Sequence, residues 1–295
     1  MNITNDVQLL TNTVDAALKT LATNFSDSPI PRSDALVLLS HIMNSSKAWL
    51  LAHKEDNLTF EQQRSLNLFA LQVKKGIPLP YIIGHWEFYG LDFFVTPDVL
   101  IPRPETELLV EYAKNWLHDH PDRRHALDLG TGSGCIAITL ATLFEDIEIT
   151  ALDISPAALA VAKENAIKHQ VDFRINFILS DLLNPIYRPY SSHLPPFDII
   201  IANLPYIPSS VLEDLAVFKK EPSVALDGGP DGLVLINRLL QTTCSNLAQH
   251  GCILLEIDAE QGSSGSNLAK KYFPEAEIRI YPDLTGRDRL LIIQT

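Results

Sequence analysis

The chain has 295 residues, 46% hydrophobic and 20% charged, with 36 acidic and 23 basic side chains and a net charge of −13. That length suits about two soluble globular domains. No apolar run approaches the ~18 residues of a membrane span, and the opening MNITNDVQLL lacks the basic start of a secretory leader. The cysteines, Cys135, Cys244 and Cys252, are odd in number and form no CxxC pair, so a reducing cytoplasm is expected and neither a disulfide framework nor a metal site is. The nine histidines are scattered without metal-ligand spacing. The charge is uneven: residues 1–75 carry seven basic and seven acidic side chains, so the whole excess of acid lies beyond them. An acidic region lacks the Lys/Arg footprint that supplies most nucleic-acid affinity, so no direct nucleic-acid partner is expected.

Up to residue 76 the pattern is helical. Val7, Leu10, Val14, Leu18 and Leu21 keep a helical spacing, and Ser33-Asp34 can open a second helix carrying Ala35, Leu38, Leu39 and Ile42. Thr59-Phe60-Glu61-Gln62 resembles a capping box, with Gly76 as a stop behind Lys74-Lys75. Ile82 to Val95, aromatic and β-branched with a turn at Tyr89-Gly90, reads as a hairpin linking two domains. From Pro104 onward helices alternate with the short strands HALDLG, IEITALD, INFILSD, FDIIIAN and CILLEID. That order predicts βαβ units and a mostly parallel, doubly wound sheet. AEIRIYPDL and RDRLLIIQT leave no room for a helix between them, so they are expected to pair antiparallel at the end of the sheet. The expected organisation is a helical domain over 1–76, a hairpin over 77–98 and a catalytic α/β domain over 99–295.

LDLGTGSGCIAI, Leu127 to Ile138, is a strand, a glycine turn and the start of a helix. Gly130, Gly132 and Gly134 let the backbone approach a ligand closely, and the free N–H groups of the helix beginning near Ser133 face it. A dinucleotide fingerprint needs glycine or alanine where this chain has Cys135, so a pyrophosphate loop is disfavoured. The second strand ends on Asp153, 19 residues beyond Gly134, where a carboxylate can accept from both ribose hydroxyls. The third ends on Ser180-Asp181, placed to accept from an adenine amine. Either acid alone is commonly a cap or a solvated turn. Three features in register at successive strand ends match S-adenosylmethionine, an adenosine without phosphate.

The fourth strand runs into Asn203-Leu204-Pro205-Tyr206. The Asn203 side-chain carbonyl can accept from an incoming NH₂, the main-chain carbonyl of Leu204 or Pro205 can accept the second hydrogen, and Tyr206 offers a face for a planar group. Those are the needs of methylating a conjugated nitrogen, where positioning carries the reaction. Adenine N6, cytosine N4 and glutamine N5 all qualify.

GIPLPYIIGHWEFYGLDFFV (Gly76 to Val95), VLIPRPETELLVE (Val99 to Glu111), LDLGTGSGCIAI, NLPYI, EPSVALDGGPDGL (Glu221 to Leu233), LLEIDAEQG and DLTGRDR (Asp283 to Arg289) together resemble the bacterial release-factor glutamine methyltransferases over nearly the whole chain. The glycine loop is common to many methyltransferases; IPRPETE and EPSVALDGGPDGL are far more specific. The resemblance implies a seven-stranded S-adenosylmethionine-dependent methyltransferase fold with a C-terminal antiparallel strand, preceded by helices that grip a protein substrate. It implies methyl transfer to the glutamine of the Gly-Gly-Gln loop in peptide-chain release factors, in the cytoplasm, without metal or membrane. The candidate cofactor residues are Gly130, Thr131, Gly132, Ser133, Gly134, Asp153, Asp181, Leu182 and Asn203. The substrate residues are Asn203, Leu204, Pro205 and Tyr206, with Asn203 and Tyr206 as the catalytic pair.

One position departs from the family. Its usual Asn-Pro-Pro-Tyr is here Asn-Leu-Pro-Tyr, as in ribosomal RNA adenine dimethyltransferases, which lack IPRPETE. Leu204 still precedes a proline and so stays biased toward extended backbone. The alternatives are a glutamine methyltransferase of a large-subunit ribosomal protein and an adenine-N6 nucleic-acid methyltransferase. IPRPETE also suits a helix start, with Pro104 at its first position and Glu105 and Glu107 near its N-terminus, and is expected to lie over the cofactor. Asp227-Gly228-Gly229 reads as a turn, and Trp86 and Phe88 as hairpin packing.

Overall fold

The computed structural model describes residues 12–23, 32–183, 196–215 and 218–295, so Val7 and Leu10 lie outside the described residues. The chain divides into two compact units, Met1–Gly84 and His85–Thr295.

The first unit is helical: α1 (Val14–Thr23), α2 (Arg32–Met43), α3 (Lys47–Ala52), α4 (Phe60–Lys74) and α5 (Leu79–Ile83). The helical spacing predicted for α1 and α2 buries Val14, Leu18, Leu21, Ala35, Leu38 and Leu39. The capping box forms: the Thr59 hydroxyl accepts from the Gln62 N–H at 3.2 Å, and the Thr59 N–H donates to the Gln62 side-chain carbonyl at 2.8 Å. Gly76 follows α4 in the left-handed region, its N–H on the Val73 carbonyl at 2.8 Å. Ile82 and Ile83 are helical instead of opening the hairpin. A proline in the first turn of α5 starts a helix readily, and left-handed Gly84 ends it, so the strand begins only at His85.

The second unit opens with a hairpin, β1 (His85–Phe88) and β2 (Leu91–Phe94), turning at Tyr89 and Gly90, both at positive φ. Phe88 packs edge-on against Phe93 in the core. Buried Asn165 accepts from the Phe94 N–H at 2.7 Å and donates to the carbonyls of Phe94 and Ser133, both at 2.9 Å, so one carboxamide ties the hairpin to the glycine loop.

The remaining elements are α6 (Glu107–Asp119), β3 (His125–Leu129), α7 (Cys135–Leu143), β4 (Glu148–Asp153), α8 (Pro156–Lys168), β5 (Ile175–Leu179), β6 (Phe197–Ala202), α9 (Ser209–Leu212), α10 (Val234–Thr243), β7 (Leu247–Glu256), α11 (Gly262–Tyr272), β8 (Glu277–Pro282) and β9 (Asp288–Gln294). The sheet has seven strands in the order β5-β4-β3-β6-β7-β9-β8, parallel from β5 to β7, with β9 antiparallel to both neighbours. Both faces are covered, which is why the central strands are apolar throughout. Ile199, Ile201, Cys252 and Leu254 pack with α6 and α7, while Ile200, Ile253 and Leu255 pack with α10 and α11. The two C-terminal strands pair antiparallel as expected. β9 inserts inside β8, so its Leu290 to Ile293 run is buried and the mixed β8 forms the edge.

Candidate active site

The chain leaves β3, builds β4 and β5 on one side of it, then returns to place β6 on the other side. Strand order therefore reverses between β3 and β6, and an open α/β sheet binds ligands at the carboxyl ends of the strands flanking such a reversal. A cleft of about 440 Å³ lies there, lined by Gly130, Gly132, Asp153, Asp181, Leu182 and Asn203 among others. A smaller cavity of about 110 Å³ adjoins it, lined by Leu100, Arg103, Tyr206 and Ile207; both share Leu100, Asn203, Leu204, Pro205 and Ala225.

The glycine loop is held by backbone hydrogen bonds. Gly130 and Thr131 donate to the Leu152 carbonyl at 2.8 and 3.0 Å, and Gly134 donates to the Thr131 carbonyl at 2.8 Å. Gly134 caps α7 at φ 82°, and a Cβ there would come within 2.7 Å of the Ile138 Cδ1 and 3.2 Å of the Ala162 Cβ. Only glycine lets α7 start this close to α8. A Cβ on Gly130 would meet the Leu204 side chain at 3.3 Å, so Leu204, buried in the core beside this loop, forms the wall in the position usual for proline.

Asp153 is buried, and each carboxylate oxygen accepts a backbone N–H: Oδ2 from Gly132 at 2.9 Å and Oδ1 from Ser155 at 2.8 Å. Burial nonetheless raises its pKa above the ordinary carboxylate value. Asp181 is paired with Arg238 at 2.6 Å, a cation on α10 that also lines the cleft and that the sequence reading missed. Leu182 sits in the left-handed region with its carbonyl held by the Ser180 hydroxyl at 2.7 Å. Ser133 and Thr131 turn inward: the Thr131 hydroxyl donates to Asp128 at 2.7 Å, and Ser133 Oγ is buried without a hydrogen-bond partner among the described residues. A loop with three glycines at positive φ, a carboxylate at the second strand end and an acid at the third suit an adenosine ligand without phosphate.

Asp128 lies under the loop, its Oδ1 without a hydrogen-bond partner among the described residues and its pKa pushed up to about 7 by burial. Between its ordinary value of 3.8 and about 7, the folded chain holds a proton that the unfolded chain releases. Stability therefore falls as pH rises across that window and levels off above it. Asp128→Asn is expected to shrink the difference in unfolding free energy between pH 5 and pH 8 by roughly 2–3 kcal/mol, measured by urea denaturation. Glu256 and Asp153, both shifted upward by burial, leave a residual slope of the same sign.

Asn203 continues β6. Its Nδ2 donates to Thr106 Oγ1 at 2.9 Å, the Thr106 hydroxyl donates to Glu256 Oε2 at 2.8 Å, and the Tyr206 hydroxyl donates to Glu256 Oε1 at 3.1 Å. Thr106 closes a 3-10 turn at Pro104–Thr106 that leads into α6, and Glu256 ends β7. IPRPETE thus reaches the site through Thr106 and Arg103, whereas the large cleft is lined by the preceding Asp98, Val99 and Leu100. Arg103 pairs with buried Glu221, and Glu107 accepts from the Tyr89 N–H at 2.8 Å, bracing the hairpin. Sequence reasoning missed Thr106 and Glu256. The one available signal was a carboxylate closing the apolar strand CILLE.

Asp227-Gly228-Gly229 is more than a turn. Gly228 donates to the Ile207 carbonyl at 2.8 Å, Ile207 to the Leu226 carbonyl at 3.2 Å and Ser209 to the Gly229 carbonyl at 2.9 Å, so this segment pairs alongside the chain leaving Tyr206. Gln261 donates to the Tyr206 carbonyl at 3.0 Å from a third direction. A Cβ at Gly232 would lie 2.1 Å from that same carbonyl oxygen, so the second family-specific motif needs glycine for close approach to NLPY.

Among the described residues no group of His, Cys, Asp and Glu could hold a metal, and no helix is long and apolar enough to cross a membrane.

Residues 16–84 match the PrmC N-terminal domain family, and residues 121–271 a methyltransferase domain family. The release factor glutamine methyltransferase of Koribacter versatilis is 38% identical over 282 residues, 94% of this chain and 95% of that one. The enzyme of the same name from Bacillus anthracis is 34% identical over 262 residues, 88% and 90% of the two chains. Among solved structures, the hMettl16 catalytic domain in complex with the MAT2A 3'UTR hairpin 1 superposes with a TM-score of 0.54 at 14% identity, covering 82% of this chain and 84% of that one, a likeness of fold. With a reversal-point cleft behind it and relatives matched over nearly their whole length, the chain belongs to the family of release factor glutamine methyltransferases.

Proposed function

We propose that this chain transfers the methyl group of S-adenosylmethionine to the side-chain amide nitrogen of the Gly-Gly-Gln glutamine in peptide-chain release factors. The observation that carries this reading is the meeting of two cavities at Asn203-Leu204-Pro205: the larger suits an adenosine-bearing cofactor, and the smaller has room for little more than a side-chain carboxamide.

Gly130, Thr131, Gly132, Ser133 and Gly134 cradle the cofactor, Asp153 accepts from its ribose, and Asp181 and Leu182 border its base. The cofactor supplies an electrophilic methyl on a sulfonium. Asn203 Oδ1 accepts one N–H of the glutamine amide, and the Leu204 or Pro205 carbonyl accepts the other. The amide lone pair is delocalised into its own carbonyl, so two acceptors on the N–H bonds hold the nitrogen in place and favour the charge it develops. Tyr206, anchored through its hydroxyl on Glu256, closes the small cavity with its ring. A burial-raised phenol pKa leaves it a neutral hydrogen-bond donor rather than a base.

The N-terminal domain, residues 1–76, grips the release factor outside the Gly-Gly-Gln loop, in the cytoplasm where translation occurs. The net charge of −13 fits a protein substrate better than a polyanionic one. The test supplies labelled S-adenosylmethionine with, separately, a purified release factor, ribosomes and bare ribosomal RNA. Label is expected on the release-factor glutamine; label on a ribosomal protein or on RNA, with the release factor unmodified, overturns the assignment.

A further inference from the structure

We propose that Thr106 and Glu256 are positioning residues that fix which way the Asn203 carboxamide faces, turning its oxygen toward the acceptor nitrogen. The inference rests on the reading of Asn203 as the partner of the substrate amide.

A carboxamide is nearly symmetric in shape, yet its two ends are opposite in hydrogen-bonding character. With Oδ1 in the site, Asn203 accepts from an incoming NH₂. Flipped, it presents donors to a donor, and nothing holds the substrate nitrogen in line for transfer. Something must choose between the two.

The choice follows from counting protons. Glu256 takes a hydroxyl on each oxygen, Tyr206 on Oε1 and Thr106 on Oε2; above its burial-raised pKa it has no proton to give, so Oε2, 2.8 Å from Thr106 Oγ1, accepts the single hydroxyl proton of Thr106. The Thr106 oxygen is then left as an acceptor. Of the two ends of Asn203 only Nδ2 can donate to it, and it does so at 2.9 Å. Oδ1 is thereby directed away from Thr106. Asn203 lines both cavities.

The fold supplies the relay without local help. Ala202 pairs with Leu255 across β6 and β7, so Asn203, the first residue beyond β6, lies beside Glu256, the last of β7. Thr106 arrives from the start of α6, and both Thr106 and Glu256 are 2% exposed, so water does not compete for the hydroxyl. The second Glu256 oxygen holds the Tyr206 hydroxyl, so one carboxylate orients both polar side chains of NLPY. Once Glu256 is ionised, a hydrogen bond to that buried charge is stronger than a neutral one, which makes the polarity of the chain hard to reverse.

Thr106→Val keeps the shape and removes the hydroxyl; Thr106→Ser keeps the hydroxyl. Single-turnover transfer to a purified release factor is expected to slow roughly 10- to 100-fold in the valine variant and to return in the serine variant. KM for the release factor and the calorimetric cofactor affinity should stay within about threefold, the pattern of a contact used in the transition state. Glu256→Gln should also slow transfer, because a glutamine NH₂ can donate to Thr106 and release the threonine proton toward Asn203. A readout independent of turnover is hydrogen exchange of the Asn203 side-chain amide by nitrogen-15 NMR, its signal identified by its loss in Asn203→Ala. Exchange should quicken in Thr106→Val. Wild-type transfer and exchange in Thr106→Val, beside a slow Asn203→Ala, overturn the relay while leaving the role of Asn203 standing. Wild-type rates in both variants remove the role of Asn203 and the relay together. An equal loss of cofactor affinity in Thr106→Val assigns Thr106 to packing and overturns the proposal.

Discussion

Asn203→Ala is expected to slow methyl transfer by roughly 10²–10³-fold, the cost of deleting one preorganised polar group at a developing charge. The alanine removes the side-chain acceptor and leaves the main-chain carbonyls of Leu204 and Pro205. Cofactor affinity should fall far less, because the glycine loop, Asp153 and Asp181 remain in the large cleft. Asn203→Asp is the sharper probe. It keeps an acceptor but places a charge near the sulfonium, favouring the cationic ground state over a transition state in which that charge disperses. It also sets a second carboxylate against Thr106, whose one proton Glu256 already accepts. Single-turnover rates on a release factor, run beside cofactor calorimetry, separate these effects. A wild-type rate in Asn203→Ala would reduce NLPY to a strand ending in a turn.

Asp153→Ala should weaken S-adenosylmethionine binding by roughly 1.5–3 kcal/mol, about 10- to 150-fold in Kd. On the proposed ribose contact, part of that loss is direct. Part is indirect, since the carboxylate also holds the Gly132 N–H on one side and the Ser155 N–H on the other. The pH dependence carries a definite sign. Burial raises the Asp153 pKa, so as pH falls the carboxylate is protonated earlier than an exposed aspartate would be, and the acceptor and its charge are lost. Cofactor affinity should therefore decline on acidification in the wild type and stay flatter in Asp153→Ala. Calorimetry across the acid range checks both. Unchanged affinity in a folded Asp153→Ala protein would remove this residue from the site.

The legible parts of the molecule are those whose signal is local. Helices α1 and α2 show in the spacing of Val14, Leu18, Leu21, Leu38 and Leu39, and the parallel strands in runs such as Ile199-Ile200-Ile201, because burial repeats with the period of the backbone. The glycine turn after β3, the acid ending β4 and the carboxamide ending β6 are each written within a few residues of a strand end. Their convergence follows once the sheet is parallel, since parallel strands put all their carboxyl ends on one edge. Ile82 and Ile83 show the limit of that reading: β-branched residues favour a strand, yet Pro80 and Gly84 make the segment a helix.

What spacing could not carry is the choice of partner across the sheet. Thr106 and Glu256 lie 150 residues apart and touch only because β7 neighbours β6 and α6 begins against them. The pairing of Asp181 with Arg238, the brace of residues 226–232 against the chain beyond Tyr206 and the insertion of β9 inside β8 are likewise non-local. Periodicity is a property of one segment with its own backbone, so it survives in the one-dimensional order of residues. Hydrogen-bond direction, strand order and the closeness that excludes a Cβ at Gly232 depend on which segments meet, and packing settles that in three dimensions.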